Sequence, residues 1–154
     1  MIAPTFTILL PVNRPPALLP YAIASVLAQD RQDFELFVIC DGAPPETASR
    51  AREFAASDAR IRVFEHPKGE HHGEAYRPQA LGQARGEYVC HIGDDDVWLP
   101  NHLTEAAALL REFDFGNLAH VEVLPDGRIN VLLGDLANAN TRRRMMGGPS
   151  ISSG

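Results

Sequence analysis

Residues 5–42, TFTILLPVNRPPALLPYAIASVLAQDRQDFELFVICDG, decide the fold class. Residues 5–11 form a strand with Ile8, Leu9 and Leu10 at its centre, and residues 34–40 form a second. Both are near-continuous apolar runs, the pattern of strands covered on both faces. Between them Leu19, Ile23, Val26 and Leu27 recur at helical spacing, with the prolines confined to the entry and first turn, where a missing N–H is tolerated. Asp41-Gly42 ends the second strand as a turn pair.

The alternation continues downstream. Pro44-Pro45 precede a helix with Ala48, Ala51, Phe54 and Ala55 on one side, and residues 61–64 make a short strand. A polar loop, 65–73, leads into a helix that ends near Ala84-Arg85-Gly86. Residues 88–92 form the next strand, closed by Gly93-Asp94-Asp95-Asp96, and another helix opens at Pro100 with Leu103, Ala107 and Leu110 on one face. This β-α-β-α-β-α-β-α order predicts an α/β fold: a mostly parallel central sheet with helices on both faces. After residue 116 the pattern changes. Residues 118–124 and 129–133 flank Pro125-Asp126-Gly127-Arg128 as a C-terminal β-hairpin. Residues 1–140 are expected to form one domain, and 141–154, which have no periodicity, a flexible tail or truncated connection.

The chain's 154 residues suffice for one core, and 45% hydrophobic with 22% charged residues is ordinary for a globular protein. A net charge of −6 argues against a nucleic-acid partner. The one basic run, Arg142-Arg143-Arg144, reads as a solvated tail. No apolar stretch nears the ~20 residues that span a bilayer, and Met1-Ile2-Ala3-Pro4 does not open a signal peptide. A cytoplasmic location is expected, with peripheral membrane association left open. Cys40 and Cys90 read as buried free thiols.

In an open α/β sheet, ligands bind outside the carboxyl ends of the strands. Three such ends carry notable residues: Pro11-Val12-Asn13-Arg14, Cys40-Asp41-Gly42 and Gly93-Asp94-Asp95-Asp96. Three adjacent carboxylates repel one another, and a hard divalent cation, Mg²⁺ or Mn²⁺, relieves that repulsion while taking further oxygen ligands from phosphates. The competing reading is an acidic turn at the start of the next helix. Asp41 is likewise either a turn residue or an acceptor for a base N–H or a ribose hydroxyl. His66, His71 and His72 read as solvated loop histidines, since nothing around them offers a metal-ligand frame. Lys68 and Arg77 are candidates for meeting phosphates, with a surface role also open to Lys68.

At these residues the chain resembles family-2 glycosyltransferases of the GT-A, nucleotide-diphospho-sugar transferase fold. TFTILLPVNRPPALLPYAIASVLAQ resembles the family's first strand, loop and helix. DFELFVICDG resembles the second strand with its terminal Asp, and ALGQARGEYVCHIGDDDVWLP the segment bearing the Asp-x-Asp signature. The resemblance implies transfer of a sugar from a nucleotide-diphosphate donor, UDP-sugar as first guess, to a glycan, lipid or protein acceptor, with inversion and with Mg²⁺ or Mn²⁺ as cofactor. By position it puts Asp41 on the nucleobase, lines the nucleoside pocket with Pro11, Val12, Asn13 and Arg14, sets Asp94 near the ribose and brings Arg77 close to the donor. Asp95 is then the metal ligand, supported by Asp96.

Three positions depart from the family pattern. Gly93 stands where many relatives carry the first Asp of the signature, Cys40 where many have another Asp, and Pro78 where many have Asn. The family's general base lies well downstream of the metal motif, and no segment around Asp135 resembles it. The chain is therefore expected to be a donor-half fragment or a short relative. The alternative to a transferase is a non-catalytic nucleotide-sugar-binding module.

Overall fold

In a computed structural model of the chain, residues 3–70 and 76–132 are described. His71, His72, Asp135 and the expected tail lie outside them. Two compact units are present, residues 1–108 and 109–154. The first carries a four-stranded, wholly parallel sheet in the order β3-β2-β1-β4. Its strands are β1 (Phe6–Val12), β2 (Phe34–Asp41), β3 (Ile61–His66) and β4 (Tyr88–His91), alternating with α1 (Leu19–Leu27), α2 (Pro45–Ser57) and α3 (Arg77–Leu81). Helix α4 (His102–Leu110) includes the boundary between the two units in sequence, and the second unit holds the hairpin β5 (His120–Val123) and β6 (Ile129–Leu132).

Every residue of β2 is buried, as is every residue of β1 except the half-buried Pro11. Successive side chains point to opposite faces. Leu9, Phe37 and Ile39 form one cluster with Ala80 of α3 and with Phe64, Tyr76 and Ala84. Ile8, Leu10, Leu36 and Val38 are equally inaccessible on the opposite face. Right-handed crossovers account for this division. The steps β1-α1-β2 and β2-α2-β3 run one way along the sheet. The step β3-α3-β4 runs back past β1 and carries α3 over the other face.

Pro11 sits near the end of a central strand, where a proline would ordinarily break a ladder. The carbonyl of Leu9 accepts from Ile92 N–H at 3.1 Å, so Leu9, and two residues later Pro11, turn their backbone groups toward β4. Pairing with β4 stops at Leu9 opposite His91. The missing N–H therefore falls where β1 has no partner on that side.

At the opposite, N-terminal rim, the buried Glu35 is surrounded by donors. Its Oε1 accepts from Thr7 Oγ1 (2.8 Å) and Arg85 N–H (2.6 Å), and its Oε2 from Arg85 Nε (2.9 Å) and Nη2 (2.8 Å). Burial pushes the Glu35 carboxyl up, but these donors outweigh it and hold it below its ordinary value. An unpaired buried carboxylate would instead cost several kcal/mol. The network fixes the turn into β4, where Gly86 N–H donates to Thr7 Oγ1 at 3.0 Å.

Asp33, just before β2, accepts from Thr5 Oγ1 and Arg31 Nη2, both at 2.5 Å, and its carboxyl is held down at about 2, first by the Arg31 bond. A depressed carboxyl stabilises the fold above its unfolded value of 3.8, and that contribution is lost as pH falls through about 2. Asp33→Asn is expected to cost about 1 kcal/mol at pH 7, discounted for partial exposure. Its destabilisation relative to wild type should vanish below pH 2, as urea titrations across pH 1.5–7 would reveal.

The elements follow the sequence expectations, with shifts at several ends, of which three bear on the sheet and its helices. β3 extends to His66 rather than stopping at Phe64, because Gly42 N–H bonds to the His66 carbonyl at 2.9 Å. α3 is only Arg77–Leu81, its exit turned by Gly82 and then tied down through Arg85. α4 starts at His102, not Pro100, and buries Leu103, Ala106 and Ala107, with Leu110 half-buried. In the second unit the register pairs Val121 with Val131 and Val123 with Ile129, and Gly127 takes φ +81° in the turn.

Candidate functional site

The sheet's order reverses at β1, so the carboxyl ends of β1 and β4 diverge into a crevice of the kind that holds ligands in such folds. Pro11, Val12, Asn13, Arg14, Asp41, Gly93, Asp94 and Asp95 line a cleft of about 280 Å³ there. The three strand ends singled out from the sequence thus meet in one place.

Asp41, 1% exposed, closes β2 at the floor of this cleft. Lys68 Nζ donates to its Oδ2 and Gly69 N–H to its Oδ1, each at 2.6 Å. Burial pushes the carboxyl up, yet Lys68 and Gly69 outweigh that and hold it below its ordinary value. Asp41 is therefore a charged acceptor, each oxygen keeping a lone pair for an incoming N–H or hydroxyl. Gly42 makes the close approach possible. Its φ is +63°, and a Cβ there would lie 2.6 Å from Lys68 Cβ.

The acidic turn is less bare than three adjacent carboxylates suggest. Arg14 Nε lies 3.2 Å from Asp94 Oδ2, and Arg14 Nη1 lies 3.0 Å from Asp95 Oδ2. Asp96 Oδ2 accepts from Gly93 N–H at 3.0 Å, while Asp96 N–H donates to the Gly93 carbonyl at 3.2 Å. The repulsion that the sequence alone assigns to a cation is met in part by a guanidinium and by the turn's own backbone. Asp94 is the buried member, and its carboxyl is raised by burial and by the charges of Asp95 and Asp96, against the pull of Arg14. Thr47, in the first turn of α2, fixes the backbone behind Arg14 by donating from Oγ1 to the Arg14 carbonyl at 2.9 Å.

The remaining candidates fall outside the cleft lining. Asp96 is folded back on Gly93. Arg77 begins α3, half-buried, and its Nε has no hydrogen-bond partner among the described residues. Lys68 is exposed at the surface and pairs through Nζ with the buried Asp41 at 2.6 Å. His66 is not a solvated loop histidine. It ends β3 opposite Asp41, half-buried, with its ring stacked on Tyr76 at 4.0 Å. Thr47 and Gly69 carried no sequence signal, because their roles exist only through tertiary contact.

The donor set can be weighed against a divalent cation. Among the described residues no group of three or more His, Cys, Asp or Glu side chains converges as a metal cage. Asp95 is 45% exposed at the cleft with the buried Asp94 beside it. That suits an ion held by one or two carboxylates that takes its other ligands from phosphates and water.

Residues 7–129 match the protein family described as glycosyl transferase family 2. The chain belongs to this family. Similar curated proteins include the succinoglycan biosynthesis protein ExoW of Rhizobium meliloti (strain 1021), 33% identical over 110 residues, which covers 70% of this chain and 34% of that protein. Another is the putative colanic acid biosynthesis glycosyl transferase WcaA of Escherichia coli (strain K12), 34% identical over 101 residues, covering 66% and 36%. This family-2 chain thus spans about a third of the length of the curated relatives it matches.

Two solved structures show the same fold. One is S. aureus TarS 1-349 in complex with UDP, with TM-score 0.62, 24% identity and coverage of 76% of this chain and 34% of that one. The other is the mannosyltransferase PcManGT from Pyrobaculum calidifontis in complex with GDP-Man and Mn²⁺, with TM-score 0.59, 24% identity and coverage of 71% and 33%. The parallel sheet with flanking helices in this family-2 chain is the GT-A arrangement expected from its sequence. No helix among the described residues is long and apolar enough to cross a membrane.

Proposed function

We propose that the chain is the donor-nucleotide part of a glycosyltransferase, binding a nucleotide-diphosphate sugar in the cleft between β1, β2 and the acidic turn. The observation that carries this reading is the convergence of Pro11–Arg14, Asp41, Asp94 and Asp95 on one crevice at the sheet's switch point. Asp41 accepts hydrogen bonds from the base, residues 11–14 form the nucleoside wall, and Asp94 faces the ribose. Asp95 holds Mg²⁺ or Mn²⁺ together with the diphosphate. When bound, such an ion neutralises charge developing on the departing nucleotide. Arg14, paired here with Asp94 and Asp95, would be the residue to face a phosphate oxygen.

UDP is the first choice of donor nucleotide, in keeping with the UDP complex of TarS, and transfer is taken as inverting. An inverting transfer also needs a base for the acceptor hydroxyl. The carboxylates of this cleft are assigned to donor and cation, so that base is sought elsewhere, and a binding module without transfer is the second reading. Residues 1–140 are proposed as the donor-binding domain.

Calorimetric titration with UDP, GDP and dTDP, each in Mn²⁺ and in EDTA, tests the reading. Asp95→Ala is expected to weaken UDP binding about tenfold in Mn²⁺ and less than twofold in EDTA, the signature of a lost metal bridge. Nucleotide affinity indifferent to both metal and Asp95 would rule the bridge out. Hydrolysis of UDP-sugar by the wild-type chain would separate a catalytic domain from a binding module.

A further inference from the structure

The segment that follows the acidic turn is held by a side chain from beyond the end of α1. Gln29, two residues past α1 and 3% exposed, donates from Nε2 to the carbonyls of Leu99 (2.8 Å) and Ser25 (3.1 Å). Its Oε1 accepts from Leu103 N–H at 3.0 Å. Leu103 lies in the first turn of α4, whose N–H groups have no partner within the helix. Gln29 thus caps α4 from outside it. One turn earlier, Ser25 Oγ accepts from Trp98 N–H at 3.1 Å, and one residue later Asp30 N–H donates to the Pro100 carbonyl at 2.8 Å. The Asp30 carboxylate also accepts from Thr104 Oγ1 at 2.8 Å.

Upstream, the acidic turn leaves β4 through the bond from Ile92 N–H to Leu9. Downstream, every bond just named except the one to the Ser25 carbonyl falls on residues 98–104. Residues 93–97, which carry all three aspartates, therefore span two fixed points. A short span pinned at both ends has little freedom left to lose when a ligand binds.

We infer that Gln29, assisted by Ser25, is a positioning residue for the acidic turn: it sets the direction in which Asp94 and Asp95 face the cleft, without touching the ligand. The consequence for ligand affinity rests on the donor-binding function proposed above. The hold on the loop itself does not.

The test uses Gln29→Met, which keeps the length but removes all three bonds, and Ser25→Ala as a milder change. Ile61→Val in β3, remote from the loop, is a control that costs roughly 0.5–1.5 kcal/mol without loosening it. Hydrogen exchange is measured on ligand-free protein, and UDP binding with Mn²⁺ and with EDTA. Gln29→Met is expected to speed exchange of the Trp98 and Leu103 amides at least about tenfold while the β2 amides keep their protection. It should also weaken UDP about tenfold in Mn²⁺ but less than twofold in EDTA, with Ser25→Ala changing both in the same sense by less. The control should shift the melting temperature only.

Unchanged exchange at Trp98 and Leu103 would overturn the inference. So would faster exchange combined with undiminished Mn²⁺-dependent affinity, which would make Gln29 a purely structural cap. If wild-type protein binds no UDP, the donor reading falls instead, and the exchange measurement still decides whether Gln29 holds the acidic turn.

Discussion

Gly86→Ala is expected to destabilise the protein by about 3 kcal/mol or more, a loss of roughly 10 °C in melting temperature for a domain of this size. A Cβ at Gly86 would lie 2.4 Å from the backbone nitrogen of Thr7 and 2.5 Å from the carbonyl carbon of Phe6. Those atoms belong to β1, hydrogen-bonded on both sides by β2 and β4, so they cannot retreat without breaking a ladder. The strain also reaches the Thr7 hydroxyl that serves Glu35. Gly82→Ala makes the comparison sharp, because its Cβ would meet nothing among the described residues nearer than 3.5 Å at a helical φ of −60°. Replacing that glycine should be neutral or slightly stabilising. Thermal melts of the two variants side by side would show the contrast, and equal melting temperatures would refute the packing described for Gly86.

Asp41→Ala is expected to reduce UDP affinity about a hundredfold, equivalent to about 2.7 kcal/mol. Two losses combine: the proposed acceptor for the base disappears, and Lys68 and Gly69 N–H lose the carboxylate that orders them at the cleft floor. Losing these two hydrogen bonds should also cost about 1 kcal/mol of stability. Asp41→Asn separates the terms. It keeps an oxygen for one donor but gives up the charge facing Lys68, and an intermediate loss of affinity is expected. Calorimetry without metal is the right measurement, since Asp41 is assigned to the base rather than to the ion. UDP binding as tight in Asp41→Ala as in wild type would remove Asp41 from the nucleotide site.

Much of this was legible in the residues. Leu9, Phe37 and Ile39 announced buried strands, and Asp41 and Asp94 stood out as charges placed just where apolar runs end. Parallel strands bring such ends to one rim of the sheet, although β4 lies beside β1 and not beside its predecessor β3. What escaped was whatever depends on a partner distant in sequence. Arg14 lies 81 positions from Asp95, and nothing local marks their pairing. Gln29 looks like any polar residue after a helix until Leu99 and Leu103 arrive beside it. His66 was misplaced because one backbone bond, from Gly42, lengthens its strand. Glu35 did carry a signal, a lone carboxylate inside FELFVIC, but its donors at Thr7 and Arg85 appear only in three dimensions.

The rim that holds Glu35 bears on how the others can be altered. Glu35 and Asp41 stand six residues apart on one strand, a rise of about 20 Å. Sites so far apart, with no shared partners, contribute additively to free energies. Stabilising changes made around Thr7, Glu35 and Arg85 should therefore leave nucleotide affinity alone, and ligand-site variants should leave the Glu35 network intact. The sheet has one end that can be reinforced and another that can be retuned, and a double-mutant cycle across them should return a coupling near zero.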